Sequence, residues 1–153
     1  MTYCLDTSAI LDGWARYYPP ENFPSFWTQL DALIARGDAF ACRQVLEELG
    51  ARDDGARDWL AQHGSAVVEI DEERFELAQA INGEFPGWAD RKRSGADPFV
   101  VALGEMRGWK VITGERLAGT LNPRKTKIPD VCQHRGVDCG AIIDLIREQG
   151  WRF

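Results

Sequence analysis

Thr2-Tyr3-Cys4-Leu5-Asp6-Thr7-Ser8-Ala9-Ile10-Leu11 is the stretch whose reading fixes the architecture. Its first four residues form a short apolar run, the pattern of a buried strand. A carboxylate follows at once, and a helix-like pattern begins at Ala9. A strand passing into a helix through an acid is the opening of an α/β unit. The strand's C-terminal tip then points into the crevice where α/β folds bind ligands. Asp6 has no packing reason to follow an apolar run.

Strands and helices alternate through the rest of the chain. Residues 9–18 read as a helix stopped by Pro19-Pro20, and Ser25 as the cap of a helix with Phe26, Trp27, Leu30, Leu33 and Ile34 at 3.6-residue spacing. Residues 39–42 read as a strand, 44–50 and 56–62 as helices, and 66–70 as a strand. Asp71 caps a helix to Ile81 that Asn82-Gly83 closes. Asp97-Pro98 opens a helix through Met106, and residues 109–113 form a strand. Residues 127–132 lead to a short edge strand, and 139–149 form a closing helix. This alternation predicts an α/β fold, a three-layer α/β/α sandwich around a mainly parallel sheet. The 153 residues predict one domain spanning 1–153.

A net charge of −6 argues against a broad basic face for nonspecific nucleic-acid binding. The charge is uneven, however. Residues 69–76 hold five acids against Arg74, whereas residues 116–135 hold Arg116, Arg124, Lys125, Lys127 and Arg135 against Asp130. Arg91-Lys92-Arg93 is a second basic run. Local charge decides what a groove attracts. No segment approaches the roughly 18 apolar residues of a membrane helix. The start lacks a basic stretch followed by an apolar one. The expectation is a cytoplasmic protein without a membrane partner. Cys4, Cys42, Cys132 and Cys139 form no Cys-x-x-Cys pair and read as small buried hydrophobes. Most of the six Trp read as core, with Trp14 as the exposed one.

Four acids carry the chemistry. Asp6 ends the first strand, Glu48 lies early in the helix after the second, Asp97 opens a helix, and Glu115 follows the 109–113 strand by two residues. Strand C-termini and the helix starts that follow them share one edge of a parallel sheet. Crowded carboxylates raise one another's pKa and stay fully ionised only around a cation. Hard oxygen donors suit Mg²⁺ or Mn²⁺, one or two ions, and that chemistry hydrolyses phosphodiesters. Asp97 before Pro98 also reads as an N-cap, and one carboxylate can do both. Thr7 and Ser8 either orient Asp6 or cap the first helix, and Thr113 stands likewise beside Glu115. Arg91, Lys92 and Arg93, like Arg124, Lys125 and Lys127, are candidates to meet phosphates or are solvated loop charges.

In this order and spacing, Leu5-Asp6-Thr7-Ser8-Ala9-Ile10-Leu11, Val45-Leu46-Glu47-Glu48-Leu49, Ala96-Asp97-Pro98-Phe99-Val100-Val101-Ala102-Leu103 and Val111-Ile112-Thr113-Gly114-Glu115 resemble a PIN domain. The segment from Trp14 to Trp27 is similar to a bacterial branch of that family. The resemblance implies a metal-dependent endoribonuclease, the toxin of a toxin–antitoxin pair. It also implies RNA as substrate, an antitoxin as protein partner and a homodimer. It places Asp6, Glu48 and Asp97 as the family's three most constant acids. Glu48 is preferred to Glu47 because the family acid directly precedes an apolar residue, here Leu49. The fourth family acid is usually Asp, where this chain has Glu115, and the further Asp is missing from Arg116-Leu117-Ala118-Gly119. Two rivals stand beside this reading. One is a non-catalytic PIN-like interaction module. The other is a small-molecule phosphatase with Asp6 as nucleophile, which commonly wants a second acid where Ser8 stands.

Overall fold

The computed structural model describes residues 1–52, 54–89 and 95–153. Its centre is a parallel sheet in the order β3-β2-β1-β4-β5, formed by β1 (Tyr3–Leu5), β2 (Ala39–Cys42), β3 (Val67–Val68), β4 (Lys110–Ile112) and β5 (Cys139–Gly140). In β1, Cys4 pairs with Phe40 on one side and with Val111 on the other. Strands covered on both faces read as largely apolar runs, and β1, β2 and β4 are almost entirely buried, the one charge among them being Lys110 of β4, which pairs with Glu148.

Alternation along β1 assigns the two faces. The Cys4 thiol reaches the Val100 carbonyl at 3.8 Å, so its face is covered by α6 (Asp97–Arg107), and α5 (Glu72–Glu84) packs on α6. Tyr3 points the other way. Its hydroxyl donates to Glu148 at 2.8 Å and accepts from Gln149 at 3.1 Å, both on α8 (Ile142–Gln149). Leu5 shares that face with Ala9 and Ile10 of α1 (Thr7–Asp12), with Phe26 and Leu30 of α2 (Pro24–Ala35), and with Leu145 of α8. The result is the three-layer α/β/α sandwich that the alternation predicts. Two short helices, α3 (Arg43–Leu49) and α4 (Ala56–Ala61), bridge β2 and β3, and α7 (Ile128–Arg135) precedes β5. Among the described residues no helix is long and apolar enough to cross a membrane.

Several local expectations are corrected. The helix expected over 9–18 ends at Asp12 and continues as a π-helical turn, Gly13–Tyr17, closed by the Tyr18 N–H on the Gly13 carbonyl at 2.9 Å. Trp14 is half-buried rather than exposed. It lies edge-on to Trp27 at 4.9 Å and donates to the Asp54 carbonyl at 2.7 Å. Ser25 is no cap, because Pro24 already fills the first helical position, where its missing N–H leaves nothing unsatisfied. The strand expected over 66–70 is limited to Val67–Val68 after a 3₁₀ turn, Gly64–Ala66. Asn82-Gly83 does not close α5, which runs to Glu84 and is followed by the buried Phe85.

The largest correction concerns residues 127–132, which form the start of α7 instead of leading into a strand. Pro129 suits a first helical turn, and the Asp130 carboxylate accepts the Lys127 N–H at 2.9 Å. The edge strand lies at Cys139–Gly140, inside the segment expected to be helical. The outer edge of β4 requires it: Val111 N–H donates to the Asp138 carbonyl at 2.8 Å and Thr113 N–H to the Gly140 carbonyl at 2.9 Å. All four cysteines are free, and Cys4, Cys42 and Cys132 are buried as expected.

Gly104 sets how closely α6 approaches β4. A Cβ there would meet Val111 Cγ2 at 2.7 Å, with the Trp109 carbonyl and Val137 Cγ1 at 3.2 Å. Alanine in a helix interior normally stabilises by about 1 kcal/mol over glycine. Here overpacking outweighs that gain, and Gly104→Ala is expected to destabilise the protein by roughly 1–3 kcal/mol. Urea unfolding checks this through a lowered midpoint at an unchanged m-value. A raised midpoint would show that α6 can lift off the sheet at no cost.

Candidate active site

Chain order reverses at the seam between β1 and β4, the place where α/β sheets open a crevice at their carboxyl edge. Asp6 leaves β1 on one side of the seam, and Thr113-Gly114-Glu115 leave β4 on the other. The backbone closes across it, with the Asp6 N–H donating to the Ile112 carbonyl at 2.9 Å.

Two hydroxyls hold the Asp6 carboxylate. Ser8 Oγ donates to Asp6 Oδ2 at 2.5 Å, and Thr113 Oγ1 donates to the same oxygen at 2.9 Å. Each hydroxyl also accepts a backbone N–H, Ser8 from Gly114 at 2.9 Å and Thr113 from Glu115 at 3.1 Å. A hydroxyl has a single proton. With both protons on Asp6 Oδ2, the 3.1 Å contact between Ser8 Oγ and Thr113 Oγ1 carries none. Ser8 and Thr113 therefore orient Asp6, and Asp6 takes the N-cap place of α1 without a side-chain cap bond. The other oxygen, Asp6 Oδ1, is buried with no partner among the described residues. Two more buried oxygens without one, Thr7 Oγ1 and Gln44 Oε1, also sit just past the ends of β1 and β2. Gln44 was not singled out by sequence, although its place two residues beyond β2 offered the signal.

The remaining acids come from three elements. Glu48 lies on α3, half-buried, and its Oε1 accepts the Ala96 N–H at 2.7 Å, while Glu47 points to solvent. That bond pins the residue before Asp97. Asp97 is the first residue of α6, and Ala96 takes the N-cap place. The cap reading of Asp97 is thus corrected: its carboxyl, on a residue 6% exposed, is free of that role. Glu115 Oε2 accepts the Ile128 N–H at 2.8 Å, so it anchors the N-terminus of α7. Arg91, Lys92 and Arg93 lie outside the described residues.

Burial and mutual repulsion govern the charges. Asp97 is pushed up to about 10, first by burial and then by Asp6, Glu115 and Glu48. Burial also raises Asp6, Glu48 and Glu115, each against its hydrogen-bond donors. The Lys127 ammonium opposes the rise at Asp97 and Glu115. Asp97 therefore keeps its proton at neutral pH unless a cation displaces it. The donors are all oxygens and include a buried one without a partner, which is the chemistry of a Mg²⁺ or Mn²⁺ site. Among the described residues, though, no three His, Cys, Asp or Glu side chains are gathered in an arrangement that holds an ion. Glu48 and Glu115 are each tied back by a backbone N–H.

A parallel α/β sandwich with an oxygen-lined crevice at its topological switch point is the class that fold and site define. The chain belongs to the DUF4411 family, described as a domain of unknown function, whose model matches residues 3–153. No curated protein matches it.

The raised acids make stability depend on pH. Asp97 titrates near 10 when folded, against about 3.9 in an unfolded chain. Between these values the folded state binds a proton that the unfolded state has released, so stability falls as pH rises. The acids with depressed values, Glu69, Asp71, Asp130 and Glu148, act in the opposite sense only at lower pH. In EDTA, urea midpoints should fall from about pH 5 to about pH 8. Asp97→Asn should flatten that fall and be more stable than wild type at the upper end. A level wild-type profile would contradict this account of the crevice.

Proposed function

We propose that the protein is a Mg²⁺- or Mn²⁺-dependent endoribonuclease of PIN type, acting as the toxin of a toxin–antitoxin pair. The observation that carries this reading is the buried Asp6 oxygen without a partner, beside an Asp97 whose carboxyl is pushed well above the usual range by burial and by the acids around it, the setting that a cation would relieve. Asp6, Asp97 and Glu48 would hold the ion, with Glu115 completing or tuning the site. When bound, such an ion activates water and stabilises charge on the phosphate.

The chain's own residues prepare the site. Ser8 and Thr113 fix the Asp6 carboxylate through Oδ2 and leave Oδ1 as the acceptor without a partner. Glu48 positions Asp97 through the Ala96 N–H. Lys127 supplies a positive charge beside Asp97 and Glu115 and suits a substrate phosphate. The acid that follows Glu115 most closely in the chain, Asp130, accepts the N–H groups of Ala118, Gly119 and Lys127 and is committed to holding that loop. This favours one ion over two. Hydrolysis would leave 5′-phosphate and 3′-hydroxyl ends.

Asp6→Asn keeps the size of the side chain and removes its charge. It should lower Mn²⁺-dependent cleavage of single-stranded RNA by at least about a hundredfold, because an ion supplies several kcal/mol to such a step. Gel assays of the purified protein, with circular dichroism as the fold control, check this. Robust cleavage by a folded Asp6→Asn protein would sink the assignment. A second reading, a non-catalytic interaction module, is favoured by the ungathered acids. Calorimetry separates the two: the nuclease binds Mn²⁺ and loses it in Asp97→Asn, whereas the module binds none.

A further inference from the structure

A cleft of about 330 Å³ opens beside Thr113, Gly114 and Glu115, between the π-helical turn after α1 and the start of α8. That volume is at the small end for ligand sites and suits one nucleoside rather than a duplex. Its walls are mixed. Tyr17 stands on one side, Ile142 and Ile143 on another, and Asp12 and Arg116 supply opposite charges.

The π-helical turn separates two adjacent tyrosines. Tyr18 packs inward and stacks on Phe26 with ring centroids 4.5 Å apart and an interplanar angle of 11°. Tyr17 is 57% exposed and makes no aromatic pair among the described residues. Single π-helical turns recur at functional sites because the extra residue re-aims a side chain. Ile143 is also exposed. A large exposed ring beside a charged cleft is an unused stacking platform.

Asp12 joins the cleft to the acids. A Cβ on Gly114 would lie 2.2 Å from Asp12 Oδ2 and 3.1 Å from the Ser8 carbonyl. Gly114 has no positive φ, so glycine is needed there for close approach and not for conformation. The Asp12 carboxylate thus sits against the loop that carries Glu115. Its ion partner, Arg16, lies 3.7 Å away with its side chain 71% exposed, so Asp12 remains able to accept hydrogen bonds.

We propose that this cleft is a nucleobase subsite: one unstacked base of single-stranded RNA lies on Tyr17, Asp12 accepts hydrogen bonds from the base edge, and Arg116 meets a neighbouring phosphate. It rests on the reading of the crevice as an RNA site. Proteins read RNA sequence mainly from unstacked bases held on aromatic rings. Asp12 accepts and cannot donate while ionised. A carboxylate receives two parallel N–H bonds from the N1 and N2 edge of guanine, whereas uracil offers it a single N–H. Guanine is therefore the favoured base.

The test is binding without cleavage. Fluorescence anisotropy in EDTA at low salt compares an oligouridine octamer with the same octamer carrying one central guanosine. Wild type should bind the guanosine strand more tightly. Tyr17→Ala should weaken both strands about tenfold, and Tyr17→Phe should restore them, since stacking needs the ring and not the hydroxyl. Asp12→Asn should erase the guanosine preference. If wild type shows no preference, or if Tyr17→Ala and Asp12→Asn bind like wild type, the subsite is overturned even where Mn²⁺-dependent cleavage proceeds. If cleavage is absent but these binding effects appear, the subsite stands and the nuclease reading fails.

Discussion

Two hydroxyl protons, from Ser8 on α1 and Thr113 beyond β4, converge on one oxygen of a buried carboxylate. This arrangement organises everything at the carboxyl edge of the sheet. It ties the first strand to the fourth across the seam where chain order reverses, and the Gly114 and Glu115 N–H groups lock the hydroxyls in turn. A carboxylate 2% exposed is costly to keep ionised, and charge-assisted donors offset part of that cost. The same donors saturate one oxygen and leave the other without a partner. The rule that buried polar atoms find partners is broken at this carboxylate, as it is at Thr7 Oγ1 and Gln44 Oε1 along the same edge, and here neighbouring acids surround the unpaired atom.

That breach is expensive locally. Asp97 could have capped α6 from the preceding position, yet Ala96 stands there and Asp97 is placed inside, next to three other acids. Glu48, a ready surface residue of α3, is turned inward to fasten the loop before α6. Burying acids beside one another costs stability, and neither placement adds apolar packing to the core. Sites that violate local consistency while the rest of the fold obeys it are where function is to be sought. The packing around the sheet obeys it. Gly104 lets α6 press on β4, Phe40 stacks on Trp109 at 4.5 Å, and the Trp27 ring packs edge-on against Trp14 and Trp59, each at 4.9 Å.

The residues that were legible in the sequence are those whose neighbours in the chain decide their fate. The strand of Tyr3, Cys4 and Leu5 and the helix of Phe26, Leu30 and Leu33 follow from short-range period. The places of Asp6, Asp97 and Glu115 follow from a strand end, a helix start and the residues just past a strand, whereas Glu48 lies in the last turn of α3 and meets the Ala96 N–H only in the folded chain. What could not be read depends on distant partners. The Cys139–Gly140 strand exists because β4 needs acceptors, and nothing in its own sequence outweighs the helical pattern that follows. The π-helical turn at Gly13–Tyr17 reflects rings at Trp27 and Trp59 that Trp14 meets only in the folded chain. Asp12 escaped notice for the same reason. It looks like an ordinary helix acid until Gly114 is seen to leave room for it.

Glu115 shows how one extra methylene changes what the crevice can do. In the resemblance that the sequence suggests, a shorter Asp holds this place. The longer side chain reaches the first N–H of α7, at the end of a helix whose dipole favours negative charge. The loop between them carries Arg116 and Lys127, and Asp130 fastens its middle through Ala118 and Gly119. Glu115 therefore serves two neighbours at once: it adds negative charge beside Asp97, and it holds the basic loop against the carboxylates. An Asp at this position would fall short of the Ile128 N–H and leave the loop tied by Asp130 alone. Glu115 thus couples the acidic crevice to the basic surface beside it.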